Sequence, residues 1–281
     1  MTAEVAAAFE HACLTELQAI KPGNVHVFAD GHGMVVEDFV RSAHAASAAI
    51  AQPGLTVGQR ILAAVEATWN AVECNTNLGI LLLAAPLVQA ALQRMPLQAV
   101  LDALSVEDAD HAFRAILKAS PAGLGESAKY DVHDRPTVTL LQAMREAASR
   151  DWIAFQYATG FADVFDFGLQ RYRGTMARWE NETWAATAVY LGWLARQPDS
   201  HVVRKYGDTV AGDLRTQAIL HERLFLACEN PKNYLGELLR WDARLKQAGI
   251  NPGTSADLTV ITLFLASDAM KSCCNPVPNL E

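Results

Sequence analysis

The sequence predicts an all-α protein, a single-domain multi-helix bundle with a buried central helix. Three observations carry that expectation. Apolar residues recur at three and four positions rather than two, the period of helices packed on one side. Residues Leu78–Gln93 are apolar all round, the pattern of a helix enclosed by others. No stretch alternates as a strand does, and Val25-His26-Val27-Phe28 offers at most a short hairpin arm.

Val5, Phe9, Ala12, Cys13, Leu17 and Ile20 form the stripe of a first helix, which Pro22-Gly23 ends. Glu16 falls on that apolar stripe. A second helix is expected over 37–51, with Phe39, Ala43, Ala46 and Ile50 inward and Pro53-Gly54 closing it. Thr56 and Gln59 have capping-box spacing and open a third, with Ile61, Val65, Trp69 and Val72 on one face. After the apolar helix, Ser105 and Asp108 open another through Lys118. Residues 120–135 are polar and lack a useful period. Helices resume over 136–150, 152–159, 161–178, 182–196, 200–222, 232–248 and 255–270. Neither an internal repeat nor a low-complexity linker divides the chain, so one domain over 1–281 is expected, with 272–281 as a loose tail.

Composition narrows the function. Lys plus Arg number 23 against 31 Asp plus Glu, and the net charge of −8 argues against general affinity for nucleic acid or anionic membrane. With 51% hydrophobic and 19% charged residues the chain is too apolar to stay disordered. The apolar runs 80–88 and 260–266 fall far short of the roughly 20 residues a spanning helix needs. Met1-Thr2-Ala3-Glu4-Val5 carries no basic leader, and Glu10 with His11 interrupts the apolar stretch that follows, so a cytoplasmic protein is expected. Cys13, Cys74, Cys228, Cys273 and Cys274 give neither a zinc-type pair nor an even disulfide framework.

In an apolar helical protein the informative places are polar clusters at helix ends, where exposed backbone N–H groups attract phosphate and carboxylate. Five stand out. Lys21-Pro22-Gly23-Asn24-Val25-His26 puts a cation and an amide in a rigid turn after the helix carrying Glu16, or is simply a helix stop. Glu73-Cys74-Asn75-Thr76-Asn77-Leu78-Gly79 has more hydrogen-bonding side chains than one cap requires, so Asn75, Asn77 and Gly79 are candidates for facing a ligand. The loop Gly123 to Asp134 contains a GxG with no strand before it, which is weak evidence for a dinucleotide site. Its Asp131 and His133 are candidates for cation binding or proton exchange, against the equal reading of a solvated loop. In the fourth, Asp199 or Ser200 caps a helix while His201, Arg204, Lys205 and Asp208 share one face; that face suits a polyphosphate or is a solvated surface. The fifth, Asn251-Pro252-Gly253-Thr254-Ser255-Ala256-Asp257, exposes N–H groups from Gly253 onward ahead of an apolar helix.

Taken in order, Lys21-Pro22-Gly23-Asn24-Val25, Asn75-Thr76-Asn77-Leu78-Gly79, Asp199-Ser200-His201 through Arg204-Lys205-Tyr206-Gly207, and Pro252-Gly253-Thr254-Ser255-Ala256-Asp257-Leu258 resemble the triphosphoribosyl-dephospho-CoA synthase family. The resemblance implies an all-helical enzyme that joins ATP to 3′-dephospho-CoA and releases adenine, serving cofactor biosynthesis. On that basis Glu16, Asp199 and Asp257 are candidates for the catalytic carboxylate. Lys21, Arg204 and Lys205 would neutralise the triphosphate, with Mg²⁺ on phosphate oxygens and on Asp199 and Asp257. Asn75 and Asn77 would fix ribose or base, and Asn24, Gly79, His201, Gly253, Thr254 and Ser255 complete the expected substrate site.

The chain departs from the family pattern at two places. Asn77-Leu78 stands where citrate-lyase members carry a His-Lys pair, and their Arg-Gly-Glu-Ala segment has no counterpart. Tyr130-Asp131-Val132-His133, Asp151-Trp152-Ile153-Ala154-Phe155-Gln156-Tyr157 and Phe161-Ala162-Asp163-Val164-Phe165 look like a divergent branch found in methanogens and in bacteria that use tetrahydromethanopterin. Asp163 is therefore a further candidate, with a different acceptor as the second reading. A third reading is a metal-dependent hydrolase using His26, Asp30, His32 and the Asp131/His133 loop, although no HExxH-type spacing supports it. A fourth is a non-catalytic nucleotide-binding protein. A homodimer is expected only because it is the commonest assembly.

Overall fold

The computed structural model describes residues 1–121, 124–125 and 129–273. Gly123 of the GxG and the tail from Cys274 onward lie outside them. Among the described residues the chain is built of helices, with no strand. The expected hairpin arm amounts to two isolated antiparallel bridges, His26 with Ala29 and Gly31 with Met34. No helix among the described residues is long and apolar enough to cross a membrane.

The helices are α1 (Thr2–Gln18), α2 (Val36–Ile50), α3 (Val57–Val72), α4 (Leu78–Gln93), α5 (Leu97–Asp102), α6 (Val106–Ala119), α7 (Leu140–Ala147), α8 (Trp152–Ala158), α9 (Leu169–Trp179), α10 (Glu182–Arg196), α11 (Ser200–Ala227), α12 (Leu235–Gln247) and α13 (Gly253–Ala266). They fall into two compact units. Unit 1 comprises residues 1–11, 41–162 and 264–281, and unit 2 comprises 12–40 and 163–263.

In unit 1, α4 is the buried central helix, in contact with α3, α5, α6 and α8. Pro86 lies inside α4 and has no N–H to offer the Leu82 carbonyl one turn back. The Tyr157 hydroxyl takes that place, donating to Leu82 O at 2.6 Å from full burial. The expected capping box of Thr56 with Gln59 opens α3, and Ser105 with Asp108, expected to open a helix, also forms a capping box at α6. Helices α3 and α6 approach so closely that a Cβ on Gly58 would lie 2.5 Å from Asp108 Cα. Asp108 bridges them, accepting from Gly58 N at 2.8 Å and from Ser105 N at 2.9 Å.

Unit 2 has its own enclosed helix, α10, buried from Ala185 to Ala195 and packed on α9 and α11. Leu191, Leu194, Leu214, Phe225, Leu238 and Trp241 share its core. The sequence periodicity marked only α4 as central, because α10 carries Trp, Tyr and Thr, which interrupt a purely aliphatic reading. Two expected helices are broken. A π-helical segment, Val164–Gly168, precedes α9, and its Gly168 packs so that a Cβ would meet Trp193 at 3.0 Å. Gly207 interrupts α11 with φ 84° and ψ 171°, conformations outside the helical region and open to glycine.

Candidate functional site

Unit 2 gathers three of the motifs. Glu16 lies in the last turn of α1 and Lys21 in the turn that follows; the side chain of Lys21 is wholly buried and that of Glu16 is 7% exposed. Lys21 Nζ donates to Glu16 Oε1 at 2.5 Å and to Asn24 Oδ1 at 3.0 Å. Burial pushes the Glu16 carboxyl up from its ordinary value, and Lys21 opposes that. Burial likewise pushes the Lys21 ammonium down, against the attraction of Glu16 and Asp257. Burial thus acts against the charged form of both groups, and their mutual attraction acts for it.

The turn after α1 is held from several sides. Tyr190 Oη on α10 donates to Pro22 O at 2.7 Å, and Ile20 N donates to Thr187 Oγ1 at 3.1 Å. Gly23 has φ 87°, and a Cβ there would come within 2.9 Å of Ile250 O and Pro252 Cδ. Only glycine meets both the left-handed backbone and that close approach. Asn24 Nδ2 donates to Asn251 Oδ1 at 2.8 Å, tying the first motif to the loop before α13.

The starts of α11 and α13 are joined by one carboxylate. Asp199 caps α11, its Oδ1 accepting from His201 N at 3.0 Å and Val202 N at 3.2 Å. Its Oδ2 accepts from Ser255 N at 2.7 Å and Ser255 Oγ at 2.8 Å. The His201 ring lies on Gly253, where a Cβ would be 2.6 Å from Nδ1. Burial lowers the His201 pKa, aided by Arg204, Lys205 and His32 and opposed by Asp199, so the ring is neutral at neutral pH. Arg204 and Lys205 are exposed, whereas Thr254 and Ser255 are buried and Asp257, just past the first turn of α13, is half-buried.

The other sequence candidates have local partners. Asn75, Asn77 and Gly79 belong to unit 1. Asn77 precedes α4 without a side-chain capping bond and instead donates to Thr68 Oγ1 at 3.0 Å, while Asn75 Oδ1 accepts from Leu78 N at 3.1 Å. The capping expected at this knot therefore comes from Asn75. Asp131 and His133, also in unit 1, close a local turn with Nδ1 to Oδ1 at 2.6 Å. In unit 2, Asp163 pairs with Arg196 at 2.6 Å at the entrance to the π-helical segment. Asp30 accepts from Val36 N, His26 faces Asp242, and His32 bonds to Gly23 O. Among the described residues no three His, Cys, Asp or Glu side chains group as a metal site.

Asp242 and Lys246 escaped the sequence reading. Both lie on α12, and Asp242 sits on the buried face with Leu238, Trp241 and Leu245. An acidic residue on an apolar stripe was the signal, the same one that marks Glu16 on α1.

Fold and cluster together define an all-helical protein with a buried acid–amine pair in the same unit as α11, which carries two exposed cations near its start. The family model CitG, ATP:dephospho-CoA triphosphoribosyl transferase, matches residues 2–273, and the chain belongs to that family. Neither a curated protein nor a solved structure matches it. The enzyme is accordingly a transferase whose substrates are ATP and dephospho-CoA. The hydrolase, the non-catalytic binder and the transferase with another acceptor are not favoured by this match.

Proposed function

We propose that triphosphoribosyl transfer runs at the unit 2 cluster with Glu16 as general base. In this reading the 2′-hydroxyl of dephospho-CoA attacks C1′ of the ATP ribose and the bond from C1′ to adenine breaks. The hydroxyl proton passes to Glu16. Adenine leaves with the electrons of the broken bond and takes a proton from solvent, while the triphosphate stays on the transferred ribose. The observation that carries the assignment is the 2.5 Å contact between Glu16 and Lys21 in full burial. A carboxylate with raised proton affinity is a better base, and the adjacent ammonium keeps it anionic between turnovers. Asp257, which attracts Lys21, adds negative charge that favours the cation-like ribose.

Arg204 and Lys205 are read as the triphosphate contacts. The N–H groups of His201 and Val202 are already taken by Asp199, so side chains rather than backbone supply the positive charge at the start of α11. Asp199 is read as the brace between α11 and α13, because each of its oxygens accepts two hydrogen bonds. Asp257 is the carboxylate that would help hold Mg²⁺ brought by ATP, which would supply neutralisation of triphosphate charge. The reading places the enzyme in the cytoplasm, where both substrates occur, as a homodimer whose mass light scattering would check.

The test is chromatography after incubation with ATP and Mg²⁺, with and without dephospho-CoA. Adenine release only with the acceptor supports transfer, and phosphate release without it would overturn it. Glu16→Gln at the parent rate would remove Glu16 as the base.

A further inference from the structure

We infer that Asp242 is a positioning residue for this reaction, acting on the Glu16–Lys21 pair through the turn between α1 and α2; the inference rests on the assignment of Glu16 as base. Its side chain is buried to 3% exposure within unit 2. Oδ1 accepts from Gly23 N at 2.8 Å, and Oδ2 faces His26 Nε2 at 3.4 Å and Lys246 Nζ at 3.1 Å. One carboxylate thus grips the turn at Gly23 and at His26, and Lys21 stands two residues before the first grip. Lys246 extends the hold by donating to Ala29 O at 2.9 Å.

The charges are fixed as well as the shape. Burial alone would raise the Asp242 pKa, but the His26 and Gly23 hydrogen bonds and the Lys246 charge outweigh it and leave the group lowered. Burial lowers His26, so its ring is neutral, with Nδ1 accepting from Phe28 N at 3.3 Å and Nε2 turned to Asp242. Asp242 is therefore an anion that organises one cation, one neutral imidazole and one backbone N–H around the turn. Thr187 and Tyr190 hold the same turn from α10 with uncharged groups at Ile20 and Pro22. Asp242 contacts the turn at Gly23 N, the residue whose φ of 87° sets the direction of the chain, while His32 contacts the same residue at its carbonyl.

The experiment is a double-mutant cycle in steady-state kinetics. Asp242→Asn keeps the shape and the acceptor for Gly23 N–H while removing the charge. It is expected to lower kcat at least ~10-fold, with KM for ATP and for dephospho-CoA within about threefold of the parent. In a Glu16→Gln background the same change is expected to cost no further kcat, within about twofold, because the machinery it positions is already disabled. Additive losses, or a rise in both KM values at unchanged kcat, would overturn the positioning role while leaving Glu16 as base. Full kcat in Glu16→Gln would remove both. Should Asp242→Asn fail to fold, Lys246→Gln takes its place in the cycle, and additivity there overturns the inference equally.

Discussion

Each unit buries a cation, Arg60 on α3 in unit 1 and Lys21 in the turn after α1 in unit 2, and the two are compensated in opposite ways. In unit 1, Arg60 on α3 is 2% exposed and donates to Gln89 Oε1 at 2.7 Å, Ile50 O at 2.9 Å and Gln52 O at 2.5 Å. Those acceptors are neutral dipoles. Burial pushes the guanidinium down to about 10, which leaves it protonated at neutral pH. In unit 2, Lys21 meets a carboxyl whose own affinity for protons is raised. A permanent charge surrounded by carbonyls organises the chain around it, here the end of α2. A titratable amine against a titratable carboxyl can trade a proton, and that is why the proposed chemistry is assigned to the second arrangement.

The contrast is broken most directly at Glu16. Glu16→Gln should lower kcat by roughly 10²–10⁴, the usual worth of a general base, read as adenine release. A loss below about tenfold would erase the distinction between the two buried cations. Lys21→Met sharpens it through pH. The base works only when ionised, so activity falls as pH drops through the Glu16 pKa, and Lys21 lowers that pKa. Removing Lys21 should move the acid limb of kcat/KM to higher pH, costing about tenfold at a fixed acidic pH for each unit moved. A limb that stays put would detach Lys21 from the base.

Arg60→Met should act on folding instead. It strands three acceptors, two of them buried, and should cost about 3 kcal/mol in denaturant unfolding, with kcat per folded molecule unchanged. Tyr157→Phe leaves the Leu82 carbonyl without its donor in α4, a loss of about 1–3 kcal/mol. Thr56→Ala removes one capping side chain at the exposed start of α3 and should lower stability by about 1 kcal/mol. An altered KM in any of these three would show that the unit 1 polar groups serve substrate as well as structure.

Local chemistry was legible in the sequence wherever cause and effect lie within a few residues. Thr56 with Gln59 and Ser105 with Asp108 open α3 and α6 as their spacing requires. Thr139 with Gln142 forms a third box and starts α7 at Leu140, a signal present in the sequence but overrun by a helix expected from 136. The short α5 was missed because six residues show no period. The motifs at Lys21, Asp199 and Gly253 were visible as polar punctuation, but their joining through Ser255, Asn251 and Tyr190 was not. Gly23 and Asp242 are 219 positions apart, and no local pattern encodes such a bond. The role of Arg60 was equally hidden, since its acceptors are a side chain 29 residues away and two carbonyls.

Unit 1 is built from both ends of the chain, and Phe9 of α1 meets Phe264 of α13 edge-on at 5.8 Å. A ribosome makes α1 first and α13 last, at about 5–20 residues per second. Phe9 therefore waits until α13 is made for the ring that meets it. Until then Phe9 lacks that neighbour, so the packing around it in unit 1 is completed only after α13 has been made, long after α1 itself.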